Sequence, residues 1–154
     1  MVVLASGPEE VRAEVAPVFD AVGSRTLWVG PAGAATKLKL VADAWVLALT
    51  NATAESVGLA QDVGIAPSLF LDAIKGGAVD VPYAHLKGQA MIDADFAPSF
   101  PARLALKDAK LVLDAASRAD LAGARATVTH LQVAVDAGHG DEDMAVLFTA
   151  VRPN

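Results

Sequence analysis

A lysine four residues beyond a pair of glycines is the first place in this sequence where chemistry could be done. The stretch Gly30-Pro-Ala-Gly-Ala-Ala-Thr-Lys37 opens on a glycine-bearing turn, and a turn without bulky side chains lets backbone come close to a ligand. Pro31 suits the first turn of a helix, where its missing N–H would have no partner anyway. Lys37 then falls near the start of that helix. It is either a catalytic group at a cleft or an ordinary solvated lysine. A second lysine, Lys107, stands beside Asp108 in a segment that also carries Lys110, Asp114 and Arg118. Taken alone, that pattern is the charged face of an amphipathic helix. His85, His130 and His139 lie in separate elements with no carboxylate or cysteine at ligand spacing, which argues against a metal site. Asp141-Glu-Asp143 reads as an acidic cluster at a helix N-terminus, favoured there by the helix dipole.

The element that must position Lys37 is a long helix running to about Asp62. Leu38, Val41/Ala42, Trp45, Leu49, Ala52 and Leu59 recur at three- and four-residue spacing and read as one buried face. Trp45 is accordingly core or interface. Upstream, Val2-Val-Leu-Ala5 reads as a strand, Glu9 to Val22 as an amphipathic helix stopped by Gly23, and Arg25 to Val29 as a second strand. That is a βαβ unit with parallel strands. Two strands cannot make a stable buried parallel sheet by themselves, so the start of the chain reads as truncated.

Everything after Gly30 reads as helix and connecting loop. Pro67 to Ile74 is a short helix ended by Gly76-Gly77, and Asp80-Val-Pro82 opens another with Tyr83, Leu86, Ala90 and Met91. Asp93 to Pro101 is a polar, proline-bearing connection, and a strong amphipathic helix follows to about Arg118. Leu121 to Ala137 is closed by Gly138, and a last helix runs from Met144 to Val151. The fold class is mainly α with a short mixed beginning.

Composition narrows the function classes. The 154 residues are 54% hydrophobic with a mean hydropathy of +0.43, and the surplus implies a face that another subunit or domain covers. A formal net charge of −6 argues against nucleic acid, which needs a basic stripe. Asp43, Asn51 and Glu55 interrupt the most apolar helix, so no membrane span is expected. The absence of cysteine and of a signal-peptide pattern fits a cytoplasmic setting.

Four short motifs in order then carry a resemblance. Gly30, Gly33 and Lys37 are followed by Ala54-Glu55 with Leu59-Ala60 and Gly64-Ile65. Asp95-Phe96, Pro98 and Phe100 with Leu104 and Lys107-Asp108 come next, and Gly138, Gly140, Asp143 and Ala145 close the series. Over essentially the whole chain this resembles the C-terminal half of the β-hydroxyacid dehydrogenases, the group of 3-hydroxyisobutyrate dehydrogenase and 6-phosphogluconate dehydrogenase.

The resemblance implies an all-helical substrate and dimerisation domain over residues 30–154. Residues 1–29 would be the last strand–helix–strand of a Rossmann domain. It implies NAD or NADP as cofactor, a small hydroxyacid or carbonyl as substrate, and a homodimer or higher homo-oligomer built through the helical domain. Lys37 would be the general acid/base, Lys107 and Asp108 would line the cofactor side of the cleft, and Gly30, Gly33 and Val41 the substrate side. In such an enzyme a proton must move as hydride leaves or reaches carbon, and a lysine in a closed cleft can carry it.

Two departures matter. The dinucleotide fingerprint G-x-G-x-x-G is absent from these residues, and Gly30-Pro-Ala-Gly33 has the wrong spacing to replace it. One turn after the lysine the family commonly has asparagine, where this sequence has Val41. An apolar wall beside Lys37 favours a bulkier or less polar carbonyl, or an imine. A non-catalytic helical dimerisation module is the alternative reading.

Overall fold

A computed structural model describes residues Met1–Pro153. It contains two compact units, Met1–Asp43 and a second from Ala44 onward.

In the first unit, β1 (Val2–Ala5) and β2 (Arg25–Trp28) pair in parallel, with Val2 opposite Arg25 and Ala5 opposite Trp28. Between them lie a 3-10 turn, Glu9–Val11, and α1 (Arg12–Val22). Gly23 ends α1 because space and direction both require it. A Cβ there would lie 2.5 Å from Val3 Cγ2, while its N–H closes on Phe19 O at 2.9 Å. Val29 N–H donates to Ala5 O and Gly7 N–H to Gly30 O, both at 2.8 Å, so the sheet pattern runs into the glycine turn.

Helix α2 (Ala34–Asp62) begins in the first unit and supplies core to the second. In the second unit it is followed by α3 (Pro67–Ile74), α4 (Pro82–Asp93), α5 (Ala102–Ala115) and α6 (Ala122–Ala134). A π-helical turn, Val135–His139, a 3-10 turn, Met144–Leu147, and α7 (Phe148–Val151) complete the described residues. The fold is mainly α with one short parallel strand pair, as the sequence pattern predicts. Helix α5 packs on α6, α3 on α4, and Met144–Leu147 sits against α4, α5 and α6. The core is small-residue rich. Ala54, Ala102, Ala105, Ala109 and Ala134 interleave with Leu47, Val57, Met91 and Leu131, so helix axes approach closely.

The structure corrects the expected buried face of α2. Val41 is 66% exposed, Trp45 63% and Leu59 63%. The side that buries carries Leu47, Thr50, Asn51, Thr53, Ala54, Val57 and Gly58. Its threonines are satisfied locally: Thr50 donates to Val46 O at 3.0 Å and Thr53 to Leu49 O at 2.8 Å. Small residues let neighbouring helices come near, which apolar spacing alone does not register. Pro31 is also displaced from its expected place, since α2 starts at Ala34. Gly33, at φ +88°, breaks helical backbone between them, and Ala34 N–H reaches Pro31 O at 3.0 Å.

Candidate functional site

The turn ahead of α2 owes its shape to two glycines. Gly30 has φ +111° and Gly33 φ +88°, conformations that L side chains rarely adopt. No atom lies within 4 Å of a Cβ built on either, so both stand beside open space. Gly30 borders a cavity of about 410 Å³ in the first unit, shared with Gly7, Glu9, Trp28 and Pro31. Lys37 lies in the first turn of α2, its N–H bonded to Gly33 O at 3.2 Å, with its side chain exposed. Val41 follows one turn later and is exposed too. The first unit therefore carries Gly30, Gly33, Lys37 and Val41 along one turn and the helix it starts.

Lys107 and Asp108 belong to the second unit, on α5. Lys107 Nζ pairs with Asp108 Oδ1 at 2.7 Å, and the Asp108 side chain is only 7% exposed. Lys107 opens onto a shallow groove of about 350 Å³ with Arg103, Lys110 and Leu111. Arg103 Nε is held by Asp141 Oδ1 at 2.6 Å and Lys110 Nζ by Gln132 Oε1 at 2.9 Å. This is a basic strip at i, i+4 and i+7 of one helix.

Sequence reasoning missed the most buried ionic group. Lys87 on α4 places Nζ 2.7 and 2.8 Å from the two Asp143 oxygens and 3.2 Å from Ser99 Oγ. Asp143 also accepts from Ser99 Oγ at 2.7 Å, Phe100 N–H at 3.1 Å and Ala145 N–H at 2.9 Å. Burial would raise its pKa, but the bonds from Lys87, Ser99, Ala145 and Phe100 prevail and hold it below the usual carboxylate value. Asp143 is thus more than an acidic residue at a helix start. It locks α4, the 94–101 connection and the 3-10 turn together. The one visible signal was its place in the closing Gly138-x-Gly140-x-x-Asp143 motif; nothing in the sequence marks Lys87.

The histidines are separately anchored. His85 Nε2 meets Asp80 Oδ1 at 2.7 Å, and His139 Nδ1 meets Glu142 Oε1 at 3.0 Å. Asp80 is held below its ordinary pKa first by the Gly76 N–H and then by His85. His130 Nδ1 lies 2.7 Å from Asn51 Oδ1, whose Nδ2 donates to Glu55 Oε1 at 2.7 Å. Asn51, held by Glu55 within α2, therefore ties α2 to α6 through His130. Among the described residues no helix is long and apolar enough to cross a membrane.

Residues 33–151 match the family described as NAD-binding of NADP-dependent 3-hydroxyisobutyrate dehydrogenase. Glyoxylate/succinic semialdehyde reductase 1 of Arabidopsis thaliana is 29% identical over 154 residues, covering 99% of this chain and 53% of the relative. An uncharacterized oxidoreductase of Synechocystis is 34% identical over 110 residues, 71% of this chain and 38% of its own. The crystal structure of a 3-hydroxyisobutyrate dehydrogenase from Salmonella typhimurium matches with a TM-score of 0.85 at 27% identity, covering 94% of this chain and 52% of that one. The chain spans about half the length of the curated relatives it matches first, 53% and 43%.

Proposed function

The chain belongs to the NADP-dependent 3-hydroxyisobutyrate dehydrogenase family, and we propose that it is the helical, substrate-side part of an NAD(P)-dependent reductase of small carbonyl compounds. The observation that carries this reading is the placement of Lys37. It follows two glycines whose positive φ angles shape an open turn, at the start of the longest helix.

In this reading a nicotinamide cofactor supplies the hydride. The chain's own residues handle the rest. Lys37 donates a proton to the carbonyl oxygen as negative charge develops there, and takes it back in the oxidative direction. Gly30 and Gly33 leave backbone room for the substrate beside Lys37. Val41 is an apolar wall one turn on, which selects for an aldehyde or oxoacid with an apolar flank. The names of the Arabidopsis relatives, glyoxylate/succinic semialdehyde reductases, support a small aldehyde substrate. Lys107, held by Asp108, faces the cofactor side.

These residues do not make a complete cofactor site. A pyrophosphate needs a glycine-rich strand-to-helix turn with free N–H groups, and the sequence contains no G-x-G-x-x-G. Residues 1–29 act as the closing strand–helix–strand of a dinucleotide-binding domain, and the chain by itself is inactive. The exposed Trp45 and Leu59 lie on the face that a second copy's α2 covers, giving a homodimer or higher homo-oligomer. The exposed α2 stripe also supports a second reading, a helical dimerisation module without catalysis.

Titrating NADPH into the purified chain, followed by cofactor fluorescence, tests the division of labour. The expected result is no saturation below about 1 mM. Micromolar binding would mean that these residues form a cofactor site by themselves, and the assignment of the pyrophosphate cradle elsewhere would fall.

A further inference from the structure

One groove of the second unit shares no lining residue with the α5 strip. It encloses about 350 Å³ and is lined by Met91, Phe96, Phe148, Ala137, His139 and Arg152 among others. Two unusual backbone segments shape it. Ala94 at its edge has φ +52°, the one non-glycine positive φ among the described residues. Ala137 and His139 come from the kinked helix end Val135–His139, where Gly138 at φ +98° breaks the helix.

The charged side chain in its lining, Arg152, is cationic, although the chain carries a net charge of −6. Arg152 Nε is held by Asp62 Oδ1 at 3.1 Å, an ion pair that is largely exposed and therefore weak. That contact uses one N–H of the five on the guanidinium, leaving the terminal edge that pairs carboxylates in a fork. Asp62 does not line the groove. An apolar lining of two phenyl rings beside an open guanidinium edge fits a ligand with a matching division.

We propose that this groove binds a small carboxylic acid with an apolar or aromatic body, its carboxylate on the terminal nitrogens of Arg152 and its body against Phe96 and Phe148. This site does not depend on the reductase reading. It uses none of the residues assigned to substrate or cofactor there.

Isothermal titration of 3-phenylpropanoate into the purified chain tests the proposal, with the neutral 3-phenylpropanamide as the matched probe. The expected result is saturable one-to-one binding of the acid. Affinity should drop by about tenfold or more for the amide, and likewise for Arg152→Gln, because a charged hydrogen-bonded pair is lost. Ala137→Leu, which fills the groove and leaves Arg152 in place, should also abolish binding. Circular dichroism of each variant identifies any that fails to fold, and the remaining variant then decides. No saturable binding of the acid would overturn the proposal. So would equal affinity for acid and amide, or undiminished binding in both folded variants.

Discussion

Lys87 Nζ lies 2.7 and 2.8 Å from the two carboxylate oxygens of Asp143, 56 residues away, and the two side chains are 3% and 4% exposed. Ser99 completes the group, giving its hydroxyl hydrogen to Asp143 while its oxygen faces the ammonium. The pair fixes where α5 begins, because Ala102 N–H bonds Glu142 O and Arg103 N–H bonds Gly140 O in the same loop.

Removing one partner leaves the other charge buried. Asp143→Ala and Lys87→Ala should each cost about 3–5 kcal/mol of stability. The double variant should cost clearly less than the sum, because the stranded charge is gone. Urea unfolding of the four proteins measures this.

The same carboxylate sets an acid limit. Its folded pKa lies below the ordinary value, since its hydrogen-bond donors outweigh burial. The unfolded chain therefore binds the proton first as pH falls. The contribution is fully present above the ordinary carboxylate pKa, about 3.9, and is lost as pH drops through the lower folded value. Unfolding free energies between about pH 5 and pH 2 should fall less steeply for Asp143→Asn than for the parent.

Close helix packing predicts a different failure at Gly88. A Cβ there would sit 3.0 Å from Leu71 Cδ2 and 3.3 Å from Thr53 Cγ2. Gly88→Ala gains helix propensity, up to about 1 kcal/mol, but must push α3 and α2 side chains aside. The expected net is a loss of about 1–2 kcal/mol by thermal or denaturant unfolding. A variant more stable than the parent would show that the neighbours yield freely.

The exposed stripe on α2 predicts self-association. Sedimentation at rising concentration should show a dimer or larger species. Trp45→Glu should shift it to monomer while changing monomer stability by no more than about 0.5 kcal/mol, since the side chain is outside the core. A parent chain that stays monomeric at high concentration would remove the basis for this interface.

Much of the fold was legible because punctuation is local. Gly23 and Gly138 and the prolines at 67 and 82 bounded elements as their backbone chemistry requires, and Pro67–Ile74 was placed to the residue. Which side of α2 buries was not legible. Thr50, Thr53 and Gly58 count as weak on any apolar scale, yet they face the core because they are small. The candidate site divides the same way. The turn conformations at Gly30 and Gly33 follow from residue type, whereas Lys87 and Asp143 meet only through tertiary packing. His130 and Asn51, 79 residues apart, are invisible for the same reason.

The role of Lys37 is tested most directly in a chimaera. These 154 residues would replace the aligned half of glyoxylate/succinic semialdehyde reductase 1, 53% of that protein, with the rest of that reductase kept. The measurement is kcat for NADPH-dependent reduction of succinic semialdehyde, with Lys37 and with Lys37→Ala. The account predicts turnover in the first and a loss of about 10²–10⁴-fold in the second, with NADPH affinity unchanged. Turnover that survives Lys37→Ala undiminished would contradict it.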